Sequence, residues 1–456
     1  MIVMKFGGSS VESAEAIQRV AGIVRERLER LPVVVVSAMG KTTNKLLAIA
    51  NEAANGNTTQ ALELLSELEQ YHLSEAGQIA SPEALPKLER IVGGLFREIQ
   101  VVVRNLCLNG GLSARAIDLV SSYGECLSSV IVTFALEHAG APAVHVDSRE
   151  VIVTDSRHTQ AAPLFAQTYA RLKARVAPLA EAKVVVMGGF IGRNEEGAVT
   201  TLGRGGGDFS AAIVGAGIDA EEIQIWTDVD GMLTADPTIL CGGHRVKTIS
   251  FAEAAELAYF GAKVLHPATV VPAVEKNIPV LILNSRRPGA DGTRIVAQAV
   301  QCSNIAKSIA CKKNITLLNI HSTRMLMAYG FLRRIFEVFD RYETPVDMVA
   351  TSEVSVSLTI DNAARLSEIC TELEHFAEVS IEKEQAIVCL VGDNIRYTPG
   401  VASRVFQALE SINIRMISQG ASLLNLSVVV AQEDLKTAVE HLHAQFFSNP
   451  DPAVFG

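Results

Sequence analysis

The sequence predicts an α/β protein, with a mostly parallel sheet in a domain over residues 1–295 and two ferredoxin-like βαββαβ units over 305–383 and 384–456. Two observations lead there. In the first part, short β-branched runs alternate with longer helix-like stretches, the pattern of parallel strands joined by helical crossovers. In the last part the chain repeats itself at an offset of 70 residues without a gap, as one supersecondary unit used twice would.

In order, residues 2–6 read as the first strand, 11–30 as a helix, 33–37 as the second strand and 43–55 as a second helix. Residues 58–119 read as a mainly helical insertion broken at Ser81-Pro82, since the residue before a proline is pushed out of the helical region. Further strands fall at 143–147, 184–188, 223–227 and 280–284. Each is a short, nearly continuous apolar run, as strands covered by helices on both faces require. Residues 285–292, SRRPGADG, gather turn formers and charge and place the domain boundary near residue 295.

Beyond that boundary the offset lays Gly330 on Gly400, Phe336 on Phe406, Ser352 on Ser422 and Ser357 on Ser427. It also lays strand 315–321 on 385–391 and strand 356–360 on 426–430. Each unit reads strand, helix, strand, strand, helix, with a further strand to complete βαββαβ. Paired sheets of this type can hold a small molecule in the groove between them, or serve only as a dimerisation surface.

Of 456 residues 48% are hydrophobic and 20% charged, which supports several packed cores and excludes disorder as the dominant state. Forty Lys plus Arg against fifty Asp plus Glu leave a net charge of −10 and exclude a general affinity for nucleic acid or anionic membrane. The seven cysteines are scattered and include no Cys-x-x-Cys pair, against both a disulfide framework and a zinc site. No run approaches the ~18 consecutive apolar residues of a membrane span. The opening MIVMKFGGSS goes straight into strand and glycine loop, so a soluble cytoplasmic protein is expected.

The chemistry concentrates in glycine-rich turns. In KFGGSS, residues 5–10, adjacent glycines let backbone N–H groups close on an anion, and Lys5 adds a positive charge. The string lacks the Walker A ending, and Gly-Gly after a strand is also a plain turn. TLGRGGGD, residues 201–208, sets Arg204 among four glycines, with Asp208 at the N-cap position of the next helix. An anion held between the arginine fork and bare N–H groups accounts for more of it than a flexible turn does. The aspartates of DVDG, 228–231, fall at the carboxyl end of a strand, where open α/β sheets bind ligands and where routine turns also occur. SSYGE, 121–125, opens a helix, so Glu125 is either a first-turn acid or the partner of a cationic amine. Lys263 and His266, in FGAKVLHP, read on their own as a surface charge and a structural histidine.

Together these strings resemble the aspartate kinases (aspartokinases) of the amino-acid kinase superfamily with tandem ACT regulatory modules, most closely the monofunctional lysine-sensitive class. The resemblance runs in order over essentially the whole chain: KFGGSS, VVVVSAM with Thr43-Asn44, SSYGE, GGFIG, TLGRGGGD, WTDVDGM, ADP, FGAKVLHPAT, TSEVSVSLTID and NIRMISQGAS. It implies a three-layer α/β/α catalytic fold and phosphorylation of the L-aspartate side chain by ATP with Mg²⁺, the first step of lysine, threonine and methionine biosynthesis. It places Lys5, Gly7, Gly8 and Ser9 on the phosphate path, and Thr43, Glu125, Phe190, Arg204, Gly205 and Asp208 around the amino acid. Thr227, Asp228, Asp230, Leu233 and Lys263 then lie along the nucleotide, with Lys5, Asp208 and Lys263 as the catalytic set. A lysine effector falls near Met325, Ala328, Gly330, Phe331, Val346 and Asp347, across from Thr351, Ser352 and Glu353. A homodimer or homotetramer through the ACT modules is implied as well.

The implied reaction suits these residue types. A carboxylate with a reference pKa of about 4 is already ionised at neutral pH, so no general base is needed. Alignment and neutralisation of phosphoryl charge then do the catalysis. Several positions depart from the family: Gly207 stands where a serine is usual, Leu233 where a tyrosine often is, Thr238 where an arginine often is, and Ala328 and Pro345 where polar serines are expected. The competing readings are a glutamate or acetylglutamate kinase of the same fold and an amino-acid-sensing protein with an inactive kinase domain. Lys5, Glu125, Arg204, Asp208 and Lys263, all present together, argue against decay.

Overall fold

The computed structural model describes residues 1–261, 267–298, 302–322 and 329–456. The chain packs as two units, Met1–Gly231 with Val264–Ala297, and Met232–Lys263 with Gln298–Gly456.

In the first unit the sheet runs in the order Ala143–His145, Val184–Gly188, Pro32–Val36, Ile2–Phe6, Glu222–Thr227, Val280–Asn284, Thr293–Val296. All neighbours are parallel except the last pair. Phe6 lies opposite Val36 and Trp226, Val36 opposite Gly188, and Thr227 opposite Asn284, so the carboxyl ends emerge along one edge. The chain steps from Ile2–Phe6 to one side first and fills the other side later. The first strand therefore stands at the reversal of strand order, where such sheets bind ligands.

Alternation of side chains along that strand separates two cores. Ile2, Met4 and Phe6 pack with Val34, Val36, Val184 and Val186 under a layer of helices that includes Ala14–Arg25, Thr42–Ala54 and Ala114–His138. On the opposite face Val3 and Ile223 meet Gly215 of the helix Gly206–Gly217. The result is the expected three-layer α/β/α arrangement, and it turns Lys5 toward the helix Gly206–Gly217. The insertion forms the helices Thr58–Ile79 and Leu85–Asn109.

Two local expectations are corrected. SSYGE does not open a helix; the helix begins at Ala114, capped by Ser113, whose side chain accepts from the Ala116 N–H. Glu125 is thus mid-helix rather than a first-turn acid. That helix is long and apolar enough to cross a membrane by length and composition, yet 94% of its most apolar stretch is buried in the protein, as befits a core helix. Asp208 is not the N-cap of its helix. Gly205, in the left-handed region at φ +74, takes that place, and Asp208 falls in the first turn.

In the second unit the antiparallel sheet has the order Val349–Thr351, Ser355–Ile360, Ala306–His321, Glu378–Gly392, Asn425–Ala431, Met416–Gln419. Its two long central strands each serve both modules. Residues 317–321 pair with 378–382 and complete the first module, whose core holds Leu318, Ile320, Ile335 and Leu358. Residues 306–312 pair with 387–392, so the last strand of the second module comes from before the first. The register shifts between Lys312 and Leu317, a bulge where the strand passes from one sheet half to the other. The modules are therefore nested, not consecutive over 305–383 and 384–456. Residues 232–263 also join this unit, with Leu233 bridged to Arg245 and Ala235 to Ile309, and this differs from a single boundary near residue 295.

Gly261 in that segment has φ +116, and a Cβ there would run into the carbonyl oxygen of Cys311. Positive φ and backbone contact act together, so Gly261→Ala is expected to lower stability by more than about 2 kcal/mol. Urea unfolding of the full chain measures it; a loss within about 0.5 kcal/mol, the range of neutral surface changes, contradicts this packing.

Candidate active site

The site is built where the carboxyl ends of the parallel strands meet. Lys5, one residue from the end of its strand, places Nζ 2.7 Å from Asp208 Oδ1, and the two side chains are only 12% and 15% exposed. A Cβ on Gly7 would lie 3.7 Å from that Nζ, and one on Gly207 would lie 3.8 Å from Nζ and 3.2 Å from Cε. Both glycine turns thus close on one ammonium. The helix behind starts Gly205, Gly206, Gly207, so its positive amino end is bare of side chains beside Lys5. Ser37 Oγ, 3.1 Å from the Cβ position of Gly207, is the hydroxyl nearest the place where the family's serine would project.

Glu125 reaches the same edge from the core helix. Its Oε1 accepts the Ala38 N–H at 3.2 Å, while Oε2 is buried with no hydrogen-bond partner. Burial pushes the carboxyl up to about 8, against the downward pull of backbone amides and Lys5. Gly188 admits this side chain, since a Cβ there would meet Glu125 Cβ at 3.0 Å. Thr43 stands close by, with Oγ1 3.2 Å from the Cβ position of the neighbouring Gly124.

Phe190 sits at φ +65, a conformation that non-glycine residues seldom adopt. Its N–H donates to Ser210 Oγ at 2.8 Å and to the Gly206 carbonyl at 3.2 Å, and its ring lies against Gly206. Strain of this kind concentrates where a side chain is aimed at a ligand. Arg204 is exposed in the turn before the helix, with no ion pair among the described residues.

On the other side of Lys5, Ser10 Oγ lies 2.7 Å from Ser285 Oγ, and Ser285 donates N–H and Oγ to the Thr227 carbonyl at 2.8 and 3.1 Å. This knits the KFGGSS turn, with half-buried Ser9, to the ends of two further strands. Gly8 packs within 3.1 Å of the Ala38 and Gly40 carbonyls, measured from its Cβ position. Asp228 is exposed and accepts from Thr227 Oγ1 at 3.2 Å. Asp230 is already engaged by Asn284 Nδ2 at 2.7 Å and by Arg287. Leu233 belongs to the second unit, where its carbonyl accepts from Ser308 Oγ at 2.7 Å. Lys263 lies outside the described residues, as do Met325 and Ala328 of the expected effector set.

The rest of that effector set is spread across the first module. Phe331 is buried in its core and stacks edge-on with Phe376, Val346 packs at the edge of that core, and Gly330 caps the helix Phe331–Arg341 at φ +81. Thr351, Ser352 and Glu353 are exposed. Asp347 Oδ1 pairs with Lys312 Nζ at 2.6 Å, a lysine also held by Asp361 at 2.8 Å, while Asp347 Oδ2 is buried without a hydrogen-bond partner. Burial raises the Asp347 carboxyl and Lys312 opposes that shift. Sequence reasoning missed Ser10, Ser37, Ser210, Ser285 and Lys312, whose short polar side chains or lone charge look like any turn or strand residue until distant segments meet.

The amino acid kinase family model matches residues 1–284 and an ACT domain model matches 388–446. The chain is 36% identical to lysine-sensitive aspartokinase 3 of Escherichia coli (strain K12), over 98% of this chain and 99% of that protein. It is 39% identical to the chloroplastic aspartokinase 2 of Arabidopsis thaliana, over 99% of this chain and 85% of that protein. Among solved structures, E. coli aspartokinase III in complex with lysine and aspartate (T-state) matches with TM-score 0.84 at 35% identity, over 98% of this chain and 99% of that one. The same enzyme in complex with aspartate and ADP (R-state) matches with TM-score 0.82 at 35% identity, over 98% of this chain and 100% of that one. A Lys5–Asp208 pair enclosed by two glycine turns, nested ACT modules and full-length relatives at these identities lead to one conclusion: the chain belongs to the aspartokinase family of amino acid kinases.

Proposed function

We propose that the chain transfers the γ-phosphoryl group of ATP to the side-chain carboxylate of L-aspartate, giving 4-phospho-L-aspartate and ADP, and that L-lysine regulates it through the first ACT module. The observation that carries this is the Lys5 ammonium, held by Asp208 between two glycine turns, on the same sheet edge as the unpartnered Oε2 of Glu125. E. coli aspartokinase III, solved with aspartate and ADP and with lysine and aspartate, supports the choice of ligands.

In this mechanism Glu125 takes the substrate ammonium and Arg204 its α-carboxylate, with Thr43, Phe190 and Gly205 forming the wall. The ionised side-chain carboxylate attacks the γ-phosphorus, a new O–P bond forms, and the bond to the β,γ-bridging oxygen breaks as ADP leaves. No proton needs to move in the transfer step itself. Lys5 neutralises charge spreading over the transferred oxygens, Asp208 fixes the direction of that ammonium, and Gly7, Gly8 and Ser9 line the phosphates. Thr227, Asp228, Asp230, Leu233 and Lys263 are assigned to the nucleotide by family resemblance. Magnesium is assigned to the Mg²⁺–ATP substrate, because a phosphate-bound Mg²⁺ keeps several waters and asks the protein for only one or two carboxylates.

For regulation, the buried free oxygen of Asp347 is the acceptor we assign to the effector ammonium. Exposed Tyr329, Leu332 and Phe336, with the edge strand Val349–Thr351, support assembly into a homodimer or homotetramer through the modules. Seven free thiols support a reducing, cytoplasmic setting.

ATP turnover with L-aspartate, the acyl phosphate trapped by hydroxylamine, tests the proposal. Hydroxamate is expected with aspartate but not glutamate, and less of it when lysine rather than threonine is added. Lysine binding without turnover on any amino acid leaves a regulatory protein instead.

A further inference from the structure

We propose that Asp118 is a positioning residue for the amino-acid substrate, a buried bracket that holds the Arg204 turn at a fixed place relative to Glu125. This rests on the assignment of Glu125 and Arg204 to L-aspartate.

Asp118 and Glu125 lie on one helix seven residues apart, which is about two turns and roughly 10 Å along the axis on nearly the same side. Asp118 is fully buried, at 0% exposure. Its Oδ1 accepts from Thr201 Oγ1 at 2.5 Å and from the Thr159 N–H at 3.0 Å, and its Oδ2 from the same N–H at 3.0 Å and from His158 Nδ1 at 2.7 Å. Every donor comes from two segments far along the chain. One is the loop over residues 155–162, which Asp155 closes on itself by accepting from the Arg157 and Ala162 N–H groups. The other is the strand Val199–Thr201, which ends three residues before Arg204.

The bracket extends to the turn itself. The Ala161 N–H donates to the Thr201 carbonyl at 2.9 Å, and Thr159 is held at φ +70 with its carbonyl 3.1 Å from the Cβ position of Gly203. Gly203 is the residue before Arg204. A rigid path therefore runs from the helix through Asp118 and the 155–162 loop to the base of the arginine turn.

A core helix packs with apolar residues, and a buried carboxylate is costly unless its donors are all in place. Here they are in place, and they fix the turn, not the helix. The ammonium and carboxylate of an α-amino acid are separated by a single carbon, so the groups that bind them must be mutually placed to fractions of an ångström.

The test is steady-state kinetics on the full chain. Asp118→Asn is expected to raise KM for L-aspartate roughly tenfold or more while KM for ATP stays within about twofold and kcat falls less than KM rises. Thr201→Val, which removes one donor at constant volume, is expected to move the aspartate KM in the same direction by less. In an Arg204→Ala background Asp118→Asn is expected to add nothing further, because the bracket acts through Arg204. The proposal is overturned by an unchanged aspartate KM in folded Asp118→Asn, or by an equal rise in both backgrounds. Should Asp118→Asn not fold, an unchanged aspartate KM in both Thr201→Val and His158→Ala overturns it. Arg204→Ala alone leaving the aspartate KM unchanged removes the underlying site assignment instead.

Discussion

Lys5→Ala is expected to lower kcat by about 10²–10³-fold, the loss typical of removing one group that stabilises transition-state charge. Both glycine turns close upon the Lys5 ammonium, and Asp208 holds it there at 2.7 Å. The substitution also strands Asp208, which is largely buried, and breaking a buried pair at one partner can cost about 3–5 kcal/mol. The catalytic and folding effects are separated by pairing Lys5→Met with Asp208→Asn, which leaves no unpaired charge. Urea unfolding is expected to show the double variant regaining most of the stability, while hydroxamate formation at saturating ATP and aspartate stays low. A folded Lys5→Ala chain with unchanged turnover sinks the assignment of Lys5.

That expectation was open to sequence reasoning only in part. The strands Val184–Gly188 and Val280–Asn284 were legible to the residue because an apolar run bounded by turn formers has few other interpretations. The face of the sheet on which Lys5 stands follows from alternation, but its partner does not. Asp208 reads as a cap in the sequence because glycine carries no signal that it will take the cap position in the left-handed region. Glu125 falls in mid-helix because the helix starts at Ala114, inside the stretch 58–119 that reads as a separate helical insertion, so the true start is hidden by the insertion's apparent end. Nesting of the ACT modules was hidden for another reason. The 70-residue offset shows two similar units, but which strand completes which sheet is a non-local pairing between residues 306–312 and 387–392. The resemblance places Asp347 near the effector, and only the structure shows the chain's own Lys312 already holding one of its oxygens.

Affinity for L-aspartate is expected to fall steeply below about pH 8, and Glu125 is the cause. Burial holds its carboxyl up to about 8, with Oε2 lacking any hydrogen-bond partner. An ammonium needs the ionised form. Apparent affinity scales with the ionised fraction, so binding at pH 6 is expected to be about 50-fold weaker than at pH 8. Near pH 7, calorimetric titration in buffers of different ionisation enthalpy is expected to show release of close to one proton per aspartate bound. Stability without substrate gives an independent reading of the same group. Between the ordinary value of 4.5 and about 8 the folded chain keeps a proton that the unfolded chain has released. Stability is therefore expected to decline as pH rises through that window and to lose nothing more from this group above it. Glu125→Gln is expected to bind aspartate weakly at every pH, to release no proton and to lose this part of the stability slope. A flat binding profile in the native chain, with no proton released, means that some other group meets the substrate ammonium. A buried carboxyl left without a second partner would then be a cost to the fold with no return in recognition.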